Sequence, residues 1–100
     1  MLQTFRSYQM SKELYQRCDK LGFKGELRDQ LHRATLSICL NLCEGSGKFS
    51  KREQKRYFET SFASIREVQA ILDLHPNQEL AQLADRLAAA GLETDPITDG

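Results

Sequence analysis

Tryptophan is missing from this sequence, and proline occurs only at Pro76 and Pro96. Breakers are therefore scarce, and residues 1–75 have room for long uninterrupted helices. Cys18, Cys39 and Cys43 are odd in number and lack framework spacing, which excludes a disulfide scaffold and fits a reducing compartment. No apolar run approaches the roughly 18 residues that a membrane span needs. The opening MLQTFRSYQM carries no apolar signal segment, so a cytoplasmic location without membrane contact is expected. Strand patterning is almost absent. Net charge is zero, but residues 1–66 hold 13 Lys or Arg against 7 Asp or Glu, while residues 67–100 hold 1 against 7. That split suits either a basic ligand-binding end or head-to-tail attraction between subunits.

Periodicity supplies what composition does not. Leu27, Leu31, Ala34, Ile38 and Leu42 fall within about 40° of one line on a helix, a core stripe. Leu36, Leu40 and Cys43 cluster on the opposite side, which carries Asp29 and Arg33 at its other end. A helix with two apolar faces sits centrally in a bundle or packs its second face on another subunit, so Leu36, Leu40 and Cys43 are expected at an oligomer interface. Upstream, residues 2–20 read as a first helix with Phe5, Tyr8, Tyr15 and Cys18 beside Leu14 and Leu21, ended by Gly22. The second helix is expected over 26–44, followed by a loop at 45–49.

Ser50, with Glu53 three residues on, has the spacing of a capping box, placing the start of a third helix at Lys51. Its apolar line is Phe58, Phe62, Ile65 and Leu72, flanked by Tyr57, Ser61, Ser64, Val68 and Ile71. Pro76 and Asn77 end that helix near Leu74 and cap a fourth over 78–90, with Leu80, Leu83, Ala84 and Leu87 inward. Gly91 and Leu92 are placed to form its terminal cap. The fold class expected is all-α, an antiparallel up-down-up-down four-helix bundle over 1–92 with a short fourth helix, and an acidic, poorly ordered tail at 93–100. Because the fourth helix spans only half of the third, apolar surface should remain uncovered within one chain, a second argument for oligomerisation.

Chemistry is thinly represented. Gly45-Ser46-Gly47-Lys48 looks like a phosphate loop, but the required earlier Gly is Leu42 and the required Ser or Thr is Phe49. Cys39 and Cys43 stand one turn apart, yet His32 lies roughly 10 Å up the axis, so buried small apolar residues are the better reading and no metal or other cofactor is expected. His32 and His75 have no nucleophile beside them in sequence, and no catalytic set can be assembled. Ser37, Ser61 and Ser64 read as small residues that allow close helix approach, and Asn41 and Glu44 as a polar pair that caps the loop or bridges to the third helix. The informative cluster is Lys48, Lys51, Arg52, Lys55 and Arg56, countered only by Glu53. Cations at a helix N-terminus oppose the macrodipole, so local stability does not account for them, whereas an anionic ligand would.

The run Asp29-Gln30-Leu31, Arg33-Ala34, Ser37-Ile38, Asn41, Glu44-Gly45 and Gly47, followed by Ser50-Lys51, Phe58, Ser64 and Glu67, resembles the bacterial "four helix bundle protein" family. That family includes proteins encoded in intervening sequences of large-subunit ribosomal RNA genes and, more distantly, accessory variability determinants of retroelements. The resemblance implies an antiparallel bundle, commonly a cyclic homopentamer, without known catalytic residues. It also implies that the accessory relatives bind nucleic acid and a reverse transcriptase through basic surfaces. Asn41, Glu44, Gly45 and Gly47 resemble the family's structural signature, and Lys48 its basic position. Cys39 and Leu40 depart from the usual Pro and small polar residue, and Ser46 from the usual aromatic. Taken together, the expectation is a non-enzymatic homo-oligomer that binds RNA or DNA through phosphates; the alternative is a protein-interaction scaffold without nucleic-acid affinity.

Overall fold

The computed structural model describes residues 2–90. Four helices follow one another: α1 (Leu2–Asp19), α2 (Gly25–Ser46), α3 (Lys51–Leu74) and α4 (Gln78–Ala88). Each packs on its neighbour in sequence, and α1 closes the ring on α4, while the backbones of the diagonal pairs stay apart among the described residues and only their core side chains share the centre. The result is an all-α antiparallel four-helix bundle with a short last helix. The Gly91 and Leu92 cap and the 93–100 tail lie outside the described residues.

The breakers act where the sequence puts them. Gly22 takes φ +80°, a left-handed conformation open to glycine at little cost, and turns the chain out of α1. Ser50 Oγ accepts from the Glu53 N–H at 3.1 Å, and Asn77 Oδ1 from the Leu80 N–H at 3.0 Å, so both expected caps form. The second half of the capping box does not form; Gln54 instead donates to the Lys48 carbonyl at 3.0 Å and ties α3 to the preceding turn. α4 ends at Ala88 rather than residue 90, with Ala89 and Ala90 in a turn.

Two further expectations need correction. The loop foreseen at 45–49 begins later, because α2 runs through Gly45 and Ser46. Ser46 Oγ donates to the Leu42 carbonyl at 2.8 Å, and Gly45 is buried against α3, so tertiary packing keeps a turn-like Gly-Ser pair helical. On α1 the buried seam is Ser7, Ser11, Leu14 and Cys18, not the aromatic line: Tyr8 and Tyr15 are half-buried and Phe5 is 61% exposed. Small serines let α1 lie close to α2, and that closeness rotates the bulkier aromatics to the rim.

The remaining core is as the periodicity indicates. Leu31, Ala34, Ile38 and Leu42 of α2 meet Ile65, Val68, Ile71 and Leu72 of α3 and Leu80, Leu83, Ala84 and Leu87 of α4, with Leu27, Phe58 and Phe62 partly buried against them. Between α2 and α3 the serines join the helices as well as letting them approach. Ser61 Oγ donates to the Ile38 carbonyl at 2.8 Å, and Ser64 Oγ to Ser37 Oγ at 2.9 Å. At 11 residues α4 reaches about 16 Å, less than half of the roughly 36 Å of α3. The first half of α3 therefore has no fourth helix beside it.

Candidate nucleic-acid interface

The end of the molecule without α4 is where α2 hands over to α3. Gly47 and Lys48 turn back on α2, their N–H groups donating to the Glu44 carbonyl at 3.2 Å and the Gly45 carbonyl at 3.1 Å. Lys48 is half-buried: its Nζ lies 3.5 Å from Glu44 Oε2 and 5.3 Å from the centre of the Tyr57 ring. That cation–π contact is one the sequence reading missed, since nothing in the spacing of 48 and 57 announces it. Lys51, Arg52, Lys55 and Arg56 are all exposed on the opening turns of α3, so the lysine stems overhang the bundle instead of running along its core.

The charge asymmetry is partly consumed within the chain. Arg17 pairs with Glu79 at 2.8 Å and with Glu13 at 3.0 Å, and Arg33 approaches Glu67 at 3.9 Å. The Arg17–Glu79 and Arg33–Glu67 bridges join α1 to α4 and α2 to α3, each contributing about 1 kcal/mol or less at such exposure. On α3, Lys55 meets Glu59 at 3.8 Å. Lys51, Arg52 and Arg56 form no ion pair with the described residues. Two exposed cations, Lys51 and Arg52, thus share the first turn of a helix with its free N–H groups, and Arg56 follows one turn on from Arg52, an arrangement that attracts phosphate.

Asn41 and Glu44 part company. Asn41 Nδ2 donates to the Ser37 carbonyl at 2.9 Å and to Ser37 Oγ at 3.1 Å, and Ser37 in turn accepts from Ser64, so Asn41 braces the α2–α3 contact. Glu44 is exposed and faces Lys48. Gly45 is a close-approach site: a Cβ there would lie 2.7 Å from Phe58 Cε1 and 3.0 Å from Tyr57 Cβ. Gly47, in contrast, has only the Glu44 carbonyl near it, at 3.6 Å. Asn41 and Gly45 therefore serve the α2–α3 joint, from which the cations of α3 extend.

On the outer face of α2, Leu36 is half-buried, while Leu40 is 58% exposed and Cys43 is exposed, and no helix among the described residues closes over these two. Cys43 corrects the expectation that both cysteines of the pair are buried. Cys39 points towards α1, where burial pushes its thiol pKa up against the opposing pull of the Ser11 hydroxyl, whereas Cys43 is rotated onward to the open side. Cys18, also buried, is pushed up to about 11 by desolvation, against the pull of the Arg17 charge, and is held as a neutral thiol. Among the described residues no group of three His, Cys, Asp or Glu side chains is placed to hold a metal.

At the opposite end, His32 Nδ1 lies 3.7 Å from Asp19 Oδ1 and its ring 5.3 Å from that of Tyr15, beside Arg28 in a shallow cleft. His75 is exposed, its ring 5.7 Å from that of Phe23. Neither is brought to the basic cluster. No helix among the described residues is long and apolar enough to cross a membrane.

The family model described as 23S rRNA-intervening sequence protein matches residues 4–90. Searches of curated proteins and of solved structures returned no match. The matched span takes in all but the first two residues of α1 and the whole of α2, α3 and α4, including the α2–α3 joint. This chain belongs to the 23S rRNA-intervening sequence protein family.

Proposed function

We propose that the chain acts by binding and not by catalysis, as a homo-oligomeric bundle that engages RNA or DNA through phosphates. Lys48, Lys51, Arg52, Lys55 and Arg56 form the contact surface. The observation carrying this reading is that Lys51, Arg52 and Arg56 stand exposed and unpaired among the described residues at the N-terminus of α3. Each exposed cation there costs a few tenths of a kcal/mol against the helix dipole, about 0.3 or more, so folding alone does not favour the cluster. A polyanion reverses the sign of that cost. The family description makes a structured RNA the first probe to try.

Assembly would multiply the effect. The face with exposed Leu40 and Cys43 and half-buried Leu36 supports packing of one copy against another, and several basic patches on one ring would gain avidity even where each is weak. The same face supports the second reading, a scaffold for a protein partner with no affinity for nucleic acid.

Arg52 and Arg56 lie one turn apart and bear no packing role. Reversing both to Glu is expected to lower affinity for RNA roughly tenfold, the order expected when two phosphate contacts are lost, while helix content and melting temperature hold. Equal affinity of the variant and the parent would remove this patch from the binding surface.

A further inference from the structure

Large apolar side chains are exposed at four described positions, Phe5, Leu40, Phe49 and Leu74. Three of these lie on helices and keep part of their surface covered, at 58–74% exposure; Phe49 is 103% exposed, as open as in an extended peptide. Burial in the bundle therefore gives no reason for an aromatic at this position. Nor is it carried on a fraying segment. Lys48 on one side is fixed through its N–H to the Gly45 carbonyl at 3.1 Å and through its own carbonyl to Gln54 Nε2 at 3.0 Å, and Ser50 on the other caps α3 through the Glu53 N–H at 3.1 Å. A braced turn thus displays a bare ring, with Lys48 next to it and Lys51 and Arg52 two and three residues on.

We propose that Phe49 is a stacking platform for an unpaired nucleobase, with Lys51 and Arg52 holding the phosphates that flank it. This rests on the phosphate-binding reading and specifies its substrate: single-stranded segments over continuous duplex. Base faces in a duplex are already stacked and closed to a ring presented from outside, whereas an unpaired base offers its π-face to any planar partner. Because the turn is fixed before binding, little ordering is lost on contact. An apolar pocket on a protein would also cover Phe49, but the unpaired cations around it favour a polyanion over such a pocket.

The absence of tryptophan makes the test direct, since Phe49→Trp introduces the sole indole of the chain. The parent, Phe49→Trp, Phe49→Leu and Phe49→Ala proteins are titrated with oligouridine, oligothymidine and a blunt DNA duplex. Stacking predicts quenching of the Phe49→Trp emission by a single strand. It also predicts that Phe49→Ala and Phe49→Leu bind that strand about tenfold more weakly, within the range of single base–aromatic stacks, with duplex affinity and salt dependence unchanged. Quenching by oligouridine alone, or by oligothymidine alone, supports the proposal and identifies the sugar preferred. Parental affinity for single strands in Phe49→Ala, with salt-dependent binding intact, overturns the stacking role and leaves the phosphate reading standing. Equal losses for strand and duplex overturn it as well, assigning Phe49 to the shape of the turn. Failure of the parent to bind any of the three probes at low salt removes both.

Discussion

Truncation of Leu14 to alanine is expected to destabilise the bundle by about 2–5 kcal/mol, the cost of a cavity at a fully buried leucine. Of the four residues on the buried seam of α1, Ser7, Ser11 and Cys18 are small, so among the described residues Leu14 is the one large apolar side chain of this helix that is fully buried, with Tyr8 and Met10 only partly so. Phe5→Ala serves as the contrast. Its ring is 61% exposed, and removal should change stability by no more than about 0.5 kcal/mol. Chemical denaturation of both variants checks the pair, and a larger loss at Phe5 than at Leu14 would restore the aromatic line as the packing face of α1.

Gly45 carries the second large effect, and its sign is diagnostic. In an ordinary helix interior, Gly→Ala stabilises by about 1 kcal/mol through propensity alone. Here the new Cβ would meet Phe58 Cε1 at 2.7 Å and Tyr57 Cβ at 3.0 Å. The Phe58 ring is half-exposed and can swing away, but Tyr57 Cβ is fixed to the α3 backbone, so the helices must separate. Overpacking of this kind costs about 1–3 kcal/mol, and the net result for Gly45→Ala is a loss of roughly 1 kcal/mol, rising to about 3 for Gly45→Leu. A thermal melt decides it: a raised melting temperature for Gly45→Ala would show that α2 and α3 are not in close contact there. Gly47, with no side chain near it, should accept alanine with little change.

These two sites also mark where the fold stops being legible in the sequence. Local signals performed well: Ser50 and Asn77 cap the helices expected of them, and Leu80, Leu83, Ala84 and Leu87 form the buried face of α4 as their spacing indicates. On α1 the hydrophobic pattern misleads, because Ser7 and Ser11 are buried for their size, which a polarity pattern registers as exposure. Gly45-Ser46 reads as a loop because its composition is that of a turn; what keeps it helical is contact with Tyr57 and Phe58, distant in sequence. Cys39 and Cys43 differ by about 40° around α2, and only the position of α1 decides that the first is covered and the second open.

The basic cluster was visible as charge out of place on a helix. Which of its members are free for a ligand was not, because the ion pairs of Lys48 with Glu44 and Lys55 with Glu59 depend on side-chain geometry. Phe49 left the weakest trace. An apolar residue in a polar turn fits a surface pocket and an open ring equally well until the surrounding helices are placed.

Binding through phosphates at the start of α3 is tested most directly by the fluorescence anisotropy of a labelled structured RNA and a labelled DNA duplex, titrated with the protein at several salt concentrations. Multi-phosphate contact predicts that log K falls steeply and linearly with log salt, with a slope of roughly 0.9 per phosphate neutralised on duplex DNA. It further predicts that the Arg52→Glu, Arg56→Glu double variant has a shallower slope by about 2 units, one for each lost contact. No binding at low salt, or binding indifferent to salt, would contradict it and give the α3 cations to a protein partner instead.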